Sequence, residues 1–551
     1  MSRKLKKEKS IEYGKSQLLL SIIKGITDIY LFLLICIYPL VIQPGYGNTS
    51  YVKYNFLIGI SYAIRIGVLP IPTYIPVVLI LALIGIILYI RESGKTVIIF
   101  IREIRLSATD IAALVYTAVL LLSSIISSYK DEIIWGYPTW NMGLASQFLF
   151  VALYFIISRS FDIHDLEFLT YGALFTSTIV FLIQLCQLFG FNVFHLYSGE
   201  IVRSYISTMG NINWFASYII IFFTIGFFIV WFFDRSTRIY KVGLVYLIIT
   251  SISLVTQGSD SVYAGLFAAF SFFLLCSFGS NKRLARLLEN FLIVLLSWRL
   301  IGFILILMKD RIPELQFMSA FMSQGSKMWI IIAVIALLYL LIRRKSLQDE
   351  GYSDKRARLY SWIFLGLLIL ICVSFIIYIY LNTKSLLPDR FTSTNNLLYF
   401  DAVWGSKRGC LWHDTVVSFI QQFKAEPLKC IFGVGADQYY HFLSNYYSVQ
   451  VEQIHGSATP TNAHNEWLTS FANFGILGGL SYIAFFLSFI FRGYRSRESL
   501  PYAMGAAACA AAYMGNNFFS FQQYVCTPYI FVIIAIGEQI IRTVYTGSES
   551  R

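Results

Sequence analysis

The sequence predicts an all-α, polytopic integral membrane protein. Of its 551 residues, 57% are hydrophobic and only 13% are charged, and the mean hydropathy is +0.66, a composition foreign to soluble globular domains. Apolar runs of roughly 20 residues, long enough to cross a hydrocarbon core, recur about fourteen times. We therefore expect a single membrane domain over residues 1–551, with about 14 transmembrane helices.

The predicted helices follow the apolar runs in chain order. They lie near residues 17–42, 70–91, 107–127, 141–158, 167–189, 212–233, 240–257, 261–279, 288–308, 327–343, 359–381, 467–492, 499–515 and 524–542. The first run starts near Gln17, and no small-residue cleavage site follows it at Pro39-Leu40. It is therefore predicted to be a retained helix and not a signal peptide.

Basic residues set the orientation of these helices. Lys and Arg cluster in every second connection, at 3–9, 91–105, 235–241, 282–286, 343–358, 492–497 and at the tail near 542. By the positive-inside rule these connections and both termini are cytoplasmic. The net charge of +13 is then explained by membrane orientation, and no nucleic-acid partner is predicted.

The remaining connections are predicted to be external. They are 43–69, 128–140, 190–211, 257–260, 309–326, 382–466 and 516–523. The loop 382–466, between helices 11 and 12, is far longer than an ordinary connection, so we expect a small folded element that carries part of the active site. The segment 51–68 contains Lys53 and Arg65, and it either extends the second helix or lies in the membrane interface.

Neither a metal nor a cofactor is predicted. The eight cysteines show no CxxC or Cys/His metal spacing, and Lys130-Asp131-Glu132 begins a loop without further acidic residues. Cys410 and Cys430 share the large external loop, where a disulfide and two free thiols are equally compatible with the sequence.

A histidine stands where the large loop enters the twelfth predicted helix, in Ala463-His464-Asn465-Glu466-Trp467-Leu468. Asn465 is followed by nine residues and then by Gly475-Ile476-Leu477-Gly478. A lone interfacial histidine is usually satisfied by a headgroup or a carbonyl, but a histidine can also act as a base near neutral pH. The full frame resembles the signature of the O-antigen ligase and polymerase superfamily.

Two further elements resemble that superfamily. Arg203 is followed by Gly-Asn-x-Asn-x-x-Ala at 210–216, which contains Asn211 and Asn213. In the large loop, Arg408 precedes Trp412, a Pro-Leu pair and the Gly-x-Gly at 433–435, and Arg390 lies upstream. The chain departs from the pattern at 259–261, which reads Ser-Asp-Ser where many relatives carry a Ser-Arg pair.

The resemblance implies a membrane glycosyltransferase of the C type in the bacterial inner membrane, with its active site on the external, periplasmic face. It would move a glycan from a polyprenyl diphosphate carrier to an acceptor hydroxyl, with inversion and without a metal. His464 would be the base, and Arg203, Arg408 and Arg390 would bind the diphosphate through their planar cations. Asn465, Asn211, Asn213 and Trp412 would support them, although the asparagines are also natural helix caps.

Three alternatives remain at this stage. A polymerase of lipid-linked repeat units would share the donor but use a second lipid-linked glycan as its acceptor. A protein O-oligosaccharyltransferase would use a protein hydroxyl, and other acceptors include lipid A core and cell-wall polymers. A multi-helix transporter would give similar hydropathy, but it would normally carry more ionisable residues in mid-membrane.

Overall fold

Helices make up almost all of the architecture, which confirms the predicted helical membrane class. The structure is a computed structural model, and it describes residues 2–43, 50–66, 69–94, 96–99, 104–138, 140–196, 206–309, 312, 314–347, 353–395, 397–446 and 460–548. The N-terminal helices are α1 Ser2–Phe32, α2 Ser50–Ser61, α3 Tyr74–Ser93, α4 Ala108–Ile126, α5 Leu144–Ser160 and α6 Leu166–Leu188. The central helices are α7 Ile212–Phe232, α8 Arg238–Thr256, α9 Ser261–Ser277, α10 Asn281–Leu307, α11 Phe317–Gln324, α12 Met328–Ser346 and α13 Asp354–Thr383. The C-terminal helices are α14 Trp404–Ala425, α15 Pro427–Phe432, α16 Tyr439–Tyr446, α17 Glu466–Arg495, α18 Pro501–Asn516 and α19 Thr527–Ser548.

A helix lies at each of the fourteen predicted spans. Of the helices in the described part of the chain, nine are long and apolar enough to cross a membrane, or ten if a bent pair counts as one span. That pair is α11 and α12, which meet at an angle of 60°. The number of fourteen and the cytoplasmic termini therefore remain predictions.

Helix α7 forms the centre of the bundle and α13 lies at its edge. In α7, 89% of the most apolar stretch is buried, whereas 0% is buried in α13. Helix α7 packs against α8 and α18, α4 packs against α17, and α5 packs against α19. The surface of α13 is apolar and exposed, as expected for a helix that faces lipid hydrocarbon.

Residues 51–68 were predicted either to extend the second helix or to lie in the membrane interface. The structure has helix α2 at the start of this segment and a pair of strands after it. After α2, strand β1 (Ala63–Ile66) pairs antiparallel with β2 (Leu69–Pro72), which the sequence analysis did not anticipate. In α2, Lys53 is fully buried, and its amine donates to the carbonyl oxygens of Tyr38 and Pro39, both at 2.9 Å. Lys53 thus satisfies the free carbonyls at the end of the first span.

Arg299 holds the bend between α11 and α12. Its Nη1 donates to the carbonyl oxygens of Ser323 (2.6 Å) and Gly325 (3.2 Å), and its guanidinium lies over the Trp329 ring, 5.0 Å from the centroid. The cation therefore satisfies carbonyls that the break in the helix leaves without intrahelical partners.

In the described residues between Thr383 and Glu466, the chain forms the helices α14, α15 and α16 and a turn of 3₁₀ helix at Asp389–Phe391. Their apolar side chains form a separate small core that includes Leu411, Tyr439 and Phe442. Cys410 and Cys430 are both buried free thiols. A long connection with its own core is suited to positioning side chains over a membrane domain.

Candidate functional site

His464 occupies a constrained position immediately before α17. Its backbone φ is +49°, a left-handed conformation that is uncommon for residues other than glycine. Its N–H donates to Oδ1 of Asn462 (2.9 Å). The next residue, Asn465, caps α17 by accepting from the N–H of Leu468 (3.0 Å). Surrounding hydrogen bonds thus hold the histidine in a conformation that the chain would otherwise avoid.

Two segments that are distant in sequence contact His464 or the residue before it. The indole N–H of Trp412 donates to the carbonyl oxygen of Ala463 at 3.0 Å. The ring of Phe521 packs edge-on against the His464 imidazole, with 4.9 Å between centroids, and also contacts Trp140 at 5.0 Å. Residues from the start of α14, the start of α17 and the connection 517–526 therefore converge at one place.

The Gly-x-Gly and Gly-x-x-Gly patterns meet in space. Gly475 interrupts α17 with φ +66° and ψ −171°, and a Cβ built on it would lie 2.5 Å from the backbone nitrogen of Gly433. The N–H of Gly435 donates to the carbonyl oxygen of Asn473 at 2.9 Å. Only residues without a Cβ permit this approach of α15 to the break in α17.

Gly478 lets α17 pack closely on α4. A Cβ built on Gly478 would lie 3.1 Å from Cγ1 of Val119. This is the close helix packing that small residues allow in membranes.

Arg408 lies at the start of the regular part of α14, one helical turn before Trp412, whose indole contacts the histidine segment. The i, i+4 spacing places it on the same face as Trp412. Its Nη1 donates to the carbonyl oxygen of Gly405 (2.7 Å), and its Nε has no hydrogen-bond partner among the described residues. Burial lowers the pKa of Arg408, and the charge of Asp260 opposes that shift. A half-buried guanidinium with an unused donor is suited to binding an anion.

Asp260 occupies the turn where many relatives carry an arginine. Burial raises the pKa of its carboxyl, while the backbone N–H of Met318 and the charge of Arg408 lower it. An acid in this position interacts with Arg408 and adds no cation of its own.

The other two candidate arginines differ from Arg408. Arg390 is exposed, and its guanidinium lies over the ring of Phe391, 4.8 Å from the centroid. Arg203 lies outside the described residues. Of the two arginines that the structure describes, Arg408 is linked to the histidine segment through Trp412, one helical turn further along α14.

The two asparagines after Arg203 have different roles. Asn211 caps α7, since its Oδ1 accepts from the N–H groups of Asn213 (2.8 Å) and Trp214 (3.4 Å). The side chain of Asn213 instead accepts from the hydroxyl of Ser259 (3.1 Å). Asn213 therefore connects the start of α7 to the turn that carries Asp260.

That contact begins a chain of buried polar side chains. The links are Ser259 to Ser261 (2.9 Å), Ser261 to Asn516 (3.2 Å), Asn516 to Asn517 (2.7 Å) and Asn517 to the carboxylate of Glu466. The chain of hydrogen bonds thus joins the Asn213 region to the first residue of α17, two positions after His464.

Glu466 and Asn517 were missed by the sequence analysis. Glu466 is 1% exposed, and its carboxylate also accepts from the hydroxyls of Tyr482 (2.6 Å) and Tyr513 (3.0 Å). A sequence signal did exist. Glu466 directly follows the His464-Asn465 pair, and Asn516 and Asn517 stand at the end of an apolar helix. Burying such polar groups costs free energy unless they are hydrogen-bonded. What could not be foreseen is that these groups satisfy one another.

Asp437 joins the connection between α4 and α5 to the large loop. Its Oδ2 accepts from the backbone N–H groups of Tyr137 (2.8 Å) and Met142 (3.0 Å). Burial raises the pKa of this carboxyl to about 8, although the two backbone donors oppose the rise.

His441 strengthens the same contact. Its Nε2 lies 3.1 Å from the carboxylate of Glu132, and its ring stacks on Tyr129 with 3.9 Å between centroids. No metal site was predicted at Lys130-Asp131-Glu132. In the described part of the chain, no three His, Cys, Asp or Glu residues are grouped so that they could hold a metal ion, and the metal-independent reaction remains a prediction.

A groove of about 530 Å³ lies between the C-terminal end of α13 and the start of α14. Ile376 and Ile379 line its apolar part, whereas Lys384, Asp401 and His413 line its polar part. An apolar wall on a lipid-facing helix, next to charged groups, matches the chemistry of an amphiphile with a polar head.

Comparison with known families identifies the segment that contains this site. Residues 314–483 match a family described as O-antigen ligase, which confirms the predicted superfamily. The match covers 170 of the 551 residues and includes Arg390, Arg408, Trp412 and His464. Among curated proteins, none matches the chain.

Proposed function

We propose that this member of the O-antigen ligase superfamily transfers a glycan from a polyprenyl diphosphate carrier to an acceptor hydroxyl on the outer face of the bacterial inner membrane. The superfamily supports a membrane glycosyltransferase-like enzyme, and the apolar helices support a membrane location. The donor, the direction of the site and the mechanism are part of the proposal. The observation that carries it is the convergence of Trp412, Phe521 and the α17 cap on His464.

In this mechanism His464 removes the proton from the acceptor hydroxyl. The acceptor oxygen attacks the anomeric carbon from the face opposite the diphosphate, so that a new glycosidic bond forms with inversion. The bond from the anomeric carbon to the diphosphate oxygen breaks, and the polyprenyl diphosphate leaves with the electron pair. Because the diphosphate is a good leaving group, stabilising its charge is more important than protonating it.

Arg408 supplies part of that stabilisation. Its unused Nε donor and half-buried cation are suited to phosphate oxygens. Arg390 and Arg203 are proposed as further contacts with the diphosphate that form on donor binding. Trp412, Asn465, Asn211 and Asn213 act as supports, through the contacts described above.

The groove beside α13 supports an amphiphilic donor. Its apolar wall at Ile376 and Ile379 would contact a prenyl chain, and Lys384 and His413 would lie near the polar head. The donor would then enter sideways from the bilayer, with its glycan toward the large loop.

The test is mass spectrometry of lipid-linked glycans in host cells that carry the wild type, His464→Ala or His464→Asn at equal membrane levels. Asparagine tolerates the left-handed conformation of this residue, so His464→Asn removes the base with little backbone strain. The matched control is His164→Ala, which removes an exposed histidine from the connection between α5 and α6.

We expect both His464 variants to accumulate polyprenyl diphosphate-linked glycan and the control to resemble the wild type. Accumulation of long lipid-linked chains indicates a ligase, whether the acceptor is a lipid, a glycan or a protein hydroxyl. Accumulation of single repeat units indicates the alternative, a repeat-unit polymerase. An unchanged lipid-linked pool in both variants refutes the assignment of His464.

A further inference from the structure

Glu466 carries a buried carboxylate whose partners are neutral. It is 1% exposed, and its donors are the hydroxyls of Tyr482 and Tyr513 and the side-chain amide of Asn517. Burying a carboxylate without a cation is costly even when it is hydrogen-bonded. A carboxylate retained at such a cost, two positions from the candidate base, calls for a role beyond packing.

The hydrogen bonds of Glu466 join two separate parts of the chain. Its backbone N–H donates to the carbonyl oxygen of Asn517 (3.0 Å), and its carboxylate accepts from the side chain of the same residue. Tyr513 lies one turn earlier on α18 and binds the same carboxylate. Glu466 thus ties the first turn of α17 to the end of α18 and to the connection that follows it.

Both of these parts contact His464. The histidine precedes Glu466 by two residues, and Phe521, whose ring packs on the imidazole, follows Asn517 by four. A displacement at Glu466 would therefore move the imidazole relative to the ring that it contacts. The left-handed backbone of His464 makes this sensitivity greater, because such a conformation persists only where its surroundings impose it.

Glu538 provides an internal comparison. Its carboxylate is also fully buried, at 0% exposure, but it pairs with Arg492 through two contacts of 2.9 and 3.2 Å. That pair lies at the end of α17 remote from His464. Glu538 has a buried ion pair with an evident structural role, whereas Glu466 has no such pair with any residue that the structure describes.

We propose that Glu466 is a positioning residue for His464, which locks the start of α17 to the 517–521 connection so that the imidazole is held in its reactive place. Glu466 contacts neither donor nor acceptor in this role. The proposal rests on the proposed function, in which His464 is the base.

The experiment compares the full-length wild type, Glu466→Gln and the control Glu538→Gln, each purified in lipid nanodiscs. Hydrogen–deuterium exchange is measured for peptides that cover 460–470 and 516–523, and glycan transfer is measured with a polyprenyl diphosphate-linked glycan. Glutamine keeps the size of Glu466 but places an amide group against the donors that now bind a carboxylate.

We expect Glu466→Gln to raise exchange in both peptides together and to lower kcat by about ten- to a hundredfold, the scale expected when a reacting group is misplaced. The KM for the donor should stay within about twofold, because Glu466 does not bind it. Glu538→Gln should leave exchange in these two peptides and kcat unchanged.

Three results would overturn the positioning role: unchanged exchange in both peptides, wild-type kcat despite raised exchange, or an equal loss of kcat in Glu538→Gln. If the wild type itself transfers no glycan, the proposed function fails, and the exchange data alone decide whether Glu466 locks the two segments. Should Glu466→Gln fail to accumulate, Tyr513→Phe removes one donor and should give smaller changes in the same direction, whereas wild-type exchange and kcat in that variant would refute the proposal.

Discussion

The indole nitrogen of Trp412 donates a hydrogen bond to the carbonyl oxygen of Ala463, across 3.0 Å and 51 positions of the chain. This bond joins helix α14 to the residue before His464. Trp412→Phe keeps an aromatic ring but removes the donor. We expect a loss of about 1 kcal/mol in stability, the usual contribution of one hydrogen bond, and a several-fold loss of glycan transfer.

The control for Trp412 is Trp404→Phe. Trp404 belongs to the same aromatic cluster and donates to the carbonyl oxygen of Leu397 (3.3 Å), which is remote from the histidine. Glycan transfer and thermal unfolding are measured for both variants. Equal loss of transfer in the two would mean that the cluster acts only through general stability.

The glycine at the break in α17 should not tolerate a side chain. Gly475→Ala places a Cβ against the backbone of Ile431 and Gly433, and alanine at φ +66° costs about 1–2 kcal/mol. Overpacking adds about 1–3 kcal/mol. We expect a clear fall in melting temperature, measured by tryptophan fluorescence of the detergent-solubilised protein.

Gly366→Ala is the matched control for that substitution. Gly366 lies within α13 and has open space where a Cβ would be. Alanine there should leave the melting temperature unchanged or raise it slightly, because alanine favours a helix. Similar melting temperatures for the two variants would contradict the close approach of α15 to α17.

Asp437 should make the docking of the 128–140 connection sensitive to pH between about 4 and 8. Its pKa is about 8 in the folded chain and about 4 when unfolded, so between these values the folded state binds the extra proton. Stability from this group therefore falls as pH rises from about 4 toward 8 and is constant above that. Asp437→Asn keeps an acceptor for Tyr137 and Met142 but removes the titration.

We expect the melting temperature of the wild type to fall relative to Asp437→Asn between pH 6 and 8. The neighbouring Glu132–His441 contact is present in both proteins, so its contribution cancels in the difference. The control is Asp389→Asn, at an exposed position. Its melting temperature should change with pH in parallel with that of the wild type. Parallel curves for Asp437→Asn would show that Asp437 is ionised throughout this range.

Arg408 and Arg390 should differ in their effect on transfer. Arg408 is half-buried and faces Asp260, whereas Arg390 is exposed and stacked on Phe391. We expect Arg408→Ala to reduce transfer by about a hundredfold, the scale for loss of one charge-stabilising donor, and Arg408→Lys to restore little because the planar fork is lost. Arg390→Ala should reduce transfer by no more than about fivefold, because a solvent-exposed ion pair with the diphosphate contributes only about 0.2–1 kcal/mol. Transfer is measured with purified protein, and a greater loss at Arg390 would reverse the assignment.

The positions of the helices and the family could be predicted from the sequence because both depend on local patterns. A membrane span is a run of apolar residues, and the His464-Asn465 frame with its two glycines is a fixed spacing. Each of these signals is contained in a few tens of consecutive residues.

The hairpin at 63–72 was missed because its four-residue strands are too short to stand out from an apolar run. Strand pairs of this length depend on what packs around them. The roles of Asn211 and Asn213 could not be separated either, since both asparagines suit a helix start. Only the position of Ser259 shows that Asn213 has a partner elsewhere.

By itself, the sequence determined that the chain is a multi-span membrane protein of the O-antigen ligase superfamily and that His464 lies where a loop enters a helix. Only the tertiary structure decided that Phe521 packs on His464, that Gly433 meets Gly475, and that the carboxylate of Glu466 is held by Asn517, 51 positions away. Such contacts are long-range pairings in a close-packed interior. Each polar group there must find a partner, and which partner it finds depends on how the helices pack and not on the spacing of residues along the chain.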